Sequence, residues 1–136
     1  MDPLSPLDIF DCLLDSSECG KIYVAGGPVR DFLLGRTIQD MDLVLANDSI
    51  PFAESFSEKT DGRLVVLDPG EGVARVVYKG FYLDFSKYRE GSRTIREDLS
   101  KRDFTINAMA VPLGKARPIF YAMGARADVR GLDGTG

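Results

Sequence analysis

Apolar residues recur at helical spacing from the start of the chain. Leu7, Phe10, Leu13 and Leu14 line one side of residues 6 to 19, which predicts an amphipathic opening helix ended by Gly20. Ile22 to Ala25 is a short apolar run closed by Gly26-Gly27. Pro28 then suits the first turn of a helix over Val29 to Leu34, with Gly35 as its stop. A second strand runs through Met41 to Ala46; Ile50, Phe52, Ala53 and Phe56 mark a helix that ends near Gly62, and Leu64 to Leu67 reads as a third strand. Val73 to Tyr78 and Phe81 to Phe85 are β-rich runs separated by Lys79-Gly80, a hairpin signal. Thr94 to Arg102 has the composition of a charged helix, Asp103 to Val111 reads equally as a helical turn or a strand, and Pro118 to Tyr121 reads as a final strand. Strands interrupted by helices at these lengths predict an α/β domain. Its sheet is expected to be mixed and of about five strands with flanking helices, because the hairpin pairs antiparallel while helical crossovers join the earlier strands.

Composition narrows the function classes. The 136 residues, 44% hydrophobic and 28% charged, suit one domain with its own core. No stretch approaches the ~20 apolar residues that span a bilayer, and Asp2 and Asp8 stand where a targeting segment would be basic, so the expectation is a cytoplasmic protein with no membrane partner. Cys12 and Cys19 lie close together and the chain has no histidine, which points to neither a disulfide framework nor a zinc site. The net charge of −4 argues against a free-standing RNA-binding surface. Its distribution matters more: residues 1–20 carry five acids and no base, so the remaining 16 of the 21 acids face 17 bases and the body is near neutral. Within the body, Lys87 to Arg102 holds six bases against three acids, a run that suits either a phosphate or a solvated face. The expected division is therefore an acidic amphipathic helix over 1–20 and a single domain over 21–136.

Three groups of residues carry candidate chemistry. Gly26 and Gly27, between a strand and a helix, let backbone N–H groups approach an anion such as a triphosphate, and Arg30 in the following turn can grip phosphate oxygens with its fork. Taken alone, such a turn is equally a tight strand-to-helix connection. Asp40 and Asp42 flank Met41 in an extended run, so both carboxylates project to one face, ~7 Å apart. Two like charges so placed call for a cation between them, and oxygen-only ligands favour Mg²⁺, which keeps water and substrate phosphate as its other ligands. Asp84, sharing a face with Tyr82, is either a third carboxylate for such a site or a solvent-facing strand residue. Arg102 is suited to bind phosphate, and Asp103 to cap a turn or accept a ribose hydroxyl.

Read in order, Gly26-Gly27-Pro28-Val29-Arg30-Asp31, Leu33-Leu34-Gly35-Arg36, Asp40-Met41-Asp42-Leu43 and the run from Asp98 to Ala110, with Arg102-Asp103-Phe104-Thr105-Ile106-Asn107 at its centre, resemble the family of tRNA nucleotidyltransferases (CCA-adding enzymes) and poly(A) polymerases. The resemblance spans most of residues 22 to 110 and weakens beyond, where Tyr121 to Val129 departs from the family pattern. It implies a polymerase-β-like nucleotidyltransferase head domain. Gly27, Arg30 and Arg102 then contact the incoming nucleotide, Asp40 and Asp42 hold Mg²⁺, and Asp84 takes an auxiliary acidic position; in the expected mechanism Gly26, Gly27 and Arg30 cradle the triphosphate while Arg102 and Asp103 complete the pocket. The implied reaction adds CMP or AMP from CTP or ATP to an RNA 3′ end, in this family a tRNA, held mainly by neck, body and tail domains outside this sequence. Two other readings share these residues: a nucleotide-binding module without independent catalysis, and a small nucleotidyltransferase with a non-RNA acceptor.

Overall fold

The computed structural model describes residues 5–16, 22–46, 48–88, 94–95 and 110–123. Helix α1 (Pro6–Ser16) opens with a reciprocal cap. The Asp8 N–H donates to the Ser5 Oγ at 3.2 Å and the Ser5 N–H donates to the Asp8 Oδ2 at 3.0 Å, which satisfies donors that the first turn leaves open. Its buried side, Ile9, Phe10 and Leu13, joins the main core.

Strand β1 (Ile22–Ala25) leads through Gly26 into α2 (Gly27–Leu33), and β2 (Asp40–Leu45) follows. Helix α3 (Ser49–Thr60) precedes β3 (Arg63–Asp68), β4 (Val73–Tyr78) and β5 (Phe81–Lys87). Strand β6 (Ala110–Pro112) places the end of the run left open from Asp103 in a strand, and a 3₁₀ turn (Leu113–Lys115) and a helical run over 117–123 come after it. Among the described residues the sheet has six strands in the order β3-β4-β5-β2-β1-β6.

Lys79 (φ 49°) and Gly80 (φ 85°) make the two-residue turn of the β4–β5 hairpin, both in the left-handed region that a type I′ turn requires. Two expectations need correction. Strands β1 and β2, although a helix lies between them, pair antiparallel; the parallel pair is β2 with β5, strands that are not consecutive. Helix α2 is two turns long, about 10 Å at 1.5 Å per residue, so it reverses the chain at the end of the sheet instead of carrying it back to the start. Residues 118–121 are helical, not a strand. Pro118 falls in the first turn of its helix, where a missing N–H is harmless, and Ile119, Phe120 and Met123 turn one buried side to the core.

That core lies on one face of the sheet. Met41 and Leu43 of β2, Ala74 and Val76 of β4, and Leu83 and Phe85 of β5 meet Ala53 and Phe56 of α3 there. The Phe85 ring lies 5.7 Å from both Phe52 and Phe56, and Phe10 of α1 lies 5.1 Å from Phe120, which ties α1 to the helical run over 117–123. Alternation turns the remaining residues of β2, β4 and β5 to the opposite face. Among the described residues no helix is long and apolar enough to cross a membrane.

Candidate active site

Strand β2 alternates from its first residue: Asp40 is exposed, Met41 buried, Asp42 half-buried and Leu43 buried. Burial of Met41 and Leu43 in the core fixes the register, and this in turn commits Asp40 and Asp42 together to the other face. The parallel pairing sets Asp42 beside Asp84 and Asp40 beside Tyr82, so Asp84 joins the two acids on that face. Three carboxylates from two adjacent strands are thus gathered there.

The glycine turn closes one end of this row. Gly26 has φ 72°, and a Cβ added to it would stand 3.2 Å from Oδ2 of Asp42. A Cβ on Gly27 would stand 3.3 Å from Nη2 of Arg30, whose Nε lies 3.4 Å from Oδ1 of Asp31. The turn therefore runs between the Asp42 carboxylate and the Arg30 guanidinium, with no side chain of its own to fill the gap. An anion laid along it would meet backbone N–H groups, an arginine and, across the turn, the acid that a cation would bridge.

Sequence reasoning missed Arg75. It faces Asp84 across the hairpin, Nε donating to Oδ1 at 2.7 Å and Nη2 to Oδ2 at 3.1 Å, and its guanidinium carbon lies 4.7 Å from the centre of the Tyr82 ring. The hydrogen bonds it donates to Asp84 hold this guanidinium's pKa above its ordinary value; burial opposes the shift and the charges of Asp84 and Asp40 add to it. The signal was available, since counting outward from a two-residue turn at Lys79-Gly80 sets Arg75 opposite Asp84.

Asp40, Asp42, Asp84, Gly26, Gly27 and Arg30 are thus all placed, with Asp42 at the junction of the acids and the turn. Arg102 and Asp103 lie outside the described residues. Among the described residues no group of three or more metal-binding side chains converges on one point. The donor set that fits a cation is the Asp40–Asp42 pair, two hard oxygen ligands on one face. Such a site suits an ion that keeps water and phosphate as its remaining ligands.

Residues 22–131 match the family model of the poly A polymerase head domain. Over 120 residues the chain is 39% identical to a CCA-adding enzyme of Bacillus pumilus, an alignment that covers 80% of this chain and 29% of that protein. Over 109 residues it is 38% identical to a CC-adding tRNA nucleotidyltransferase of Geobacter sulfurreducens, covering 79% and 25%. A solved tRNA nucleotidyltransferase, complexed with a primer tRNA and an incoming ATP analog, superposes with a TM-score of 0.61 at 34% identity over 67% of this chain and 27% of that one. The chain spans about a quarter of the length of the curated relatives it matches. Since the matched span holds the glycine turn, both acids of β2 and the hairpin that bears Asp84, the chain belongs to the poly(A) polymerase head-domain family, the head that CCA-adding enzymes share.

Proposed function

We propose that this chain is the catalytic head of an RNA nucleotidyltransferase that adds CMP or AMP from a nucleoside triphosphate to a tRNA 3′ end in the cytoplasm, with Mg²⁺ as its metal. The observation that carries the reading is the meeting of Asp42 with the Gly26 turn while Asp40 shares its face. In the reaction the 3′-hydroxyl gives up its proton to solvent, its oxygen forms a bond to the α-phosphorus, the bond from that phosphorus to the bridging oxygen breaks, and pyrophosphate leaves with the electron pair. Asp40 and Asp42 would hold Mg²⁺, which would neutralise phosphate charge and lower the pKa of the attacking hydroxyl. Gly26 and Gly27 bring backbone against the triphosphate, and Arg30 orients it with a charge-assisted fork. Arg102 and Asp103 complete the pocket in this reading.

A relative named for CC addition and one named for CCA addition match this chain almost equally, at 38% and 39% identity. Both CTP and ATP are therefore candidate substrates. The test is incorporation of radiolabelled CTP and ATP into tRNA lacking its 3′ end, in Mg²⁺, with Asp42→Ala alongside. Extension that this substitution abolishes supports the enzyme. Nucleotide binding without extension assigns the chain a binding role, and metal-dependent binding undiminished in Asp42→Ala removes the acids from the mechanism.

A further inference from the structure

Asp42, Asp84 and Arg75 form one row across three neighbouring strands, Asp42 in register with Asp84 and Asp84 with Arg75. Like charges set side by side on adjacent strands repel, and an opposite charge on the next strand relieves that repulsion. Arg75 relieves Asp84. Its two donors engage both oxygens of that carboxylate, at 2.7 and 3.1 Å, and so occupy the edge through which a carboxylate would chelate a cation. The Tyr82 ring, two residues before Asp84 and on the same face, lies 4.7 Å from the guanidinium carbon, which restrains the cation along its flat side as well. A guanidinium does not lose its proton, so the counter-charge is permanent.

We propose that Arg75 is a positioning residue that takes the place of a second cation at Asp84. It withdraws Asp84 from metal coordination, holds it neutralised beside Asp42, and leaves the divalent-ion site of this face to Asp40 and Asp42. The metal site itself rests on the nucleotidyl-transfer reading above; the role of Arg75 is a separate claim.

The test is Mn²⁺ binding to the chain, followed by electron paramagnetic resonance, with thermal melts to confirm folding. Four proteins suffice: the parent chain, Asp42→Ala, Arg75→Gln, and Arg75→Gln combined with Asp84→Asn. Releasing Asp84 adds a negative charge beside the ion, so Arg75→Gln tightens Mn²⁺ binding by about tenfold. The double variant exchanges a neutral pair for a neutral pair and returns close to the parent affinity. If Arg75→Gln does not fold, the double variant decides alone, because a loss as deep as that of Asp42→Ala would make Asp84 a ligand and overturn the proposal. Unchanged affinity in Arg75→Gln, with binding lost in Asp42→Ala, overturns the Arg75 proposal and spares the metal reading. Undiminished binding by Asp42→Ala sinks both.

Discussion

Replacing Gly26 with alanine tests the junction on which the site depends. The residue has φ 72° and ψ −135°, a combination that side chains avoid, and holding alanine there costs about 1–3 kcal/mol. The new Cβ would also stand 3.2 Å from Oδ2 of Asp42, so the carboxylate has to retreat by a few tenths of an ångström. Strain and displacement can be separated, because Gly80 has φ 85° with nothing within 4 Å of where its Cβ would stand. Gly80→Ala meets strain alone. Calorimetric melts should show both variants destabilised by about 1–2 kcal/mol, roughly 3–8 °C for a chain of this size. Mn²⁺ affinity and nucleotide incorporation should fall in Gly26→Ala only, incorporation by about tenfold, since catalysis is sensitive to small misplacements of a ligand. The reasoning is refuted by a Gly26→Ala protein that binds Mn²⁺ as the parent does, or by a Gly80→Ala protein that loses Mn²⁺ affinity equally.

Phe85 contacts both Phe52 and Phe56, and Phe85→Ala should cost about 3–5 kcal/mol in denaturant unfolding, a large share of the stability of a single domain. Lys79 holds a left-handed conformation that asparagine tolerates better, so Lys79→Asn should raise stability by about 0.5 kcal/mol in the same assay and leave Mn²⁺ affinity unchanged. Ser5→Ala removes one half of the α1 cap and should lower the melting midpoint by an amount corresponding to about 1 kcal/mol, with no effect on nucleotide incorporation.

What could be read from the chain divides by distance along it. The strand-turn-helix around Gly26-Gly27, the same-face placement of Asp40 and Asp42, and the Lys79-Gly80 hairpin all depend on neighbouring residues, and the structure reproduces each of them. Arg75 opposite Asp84 is legible too, because a two-residue turn dictates the register outward from it. The pairing of β2 with β5 was not legible. No turn joins these strands, so nothing local specifies that Asp42 lies beside Asp84. The antiparallel β1–β2 pair was hidden by the helix between them, which suggested a crossover. At 118–121, a β-branched residue and two aromatics argued for a strand by propensity, yet the spacing of Ile119, Phe120 and Met123 is helical and packing against Phe10 prevailed.

The hairpin register bears on how the chain assembles. Closing the turn at Lys79-Gly80 joins Arg75 to Asp84 locally, a microsecond-scale event in isolated hairpins, whereas Asp42 reaches Asp84 only after the whole loop from β2 to β5 has closed. The expected order of folding is hairpin first and central parallel pair later; pulse-labelled hydrogen exchange that protected β2 ahead of β5 would contradict it. In that order Asp84 is already counter-charged when Asp42 arrives, and the acidic strand docks onto a neutral edge.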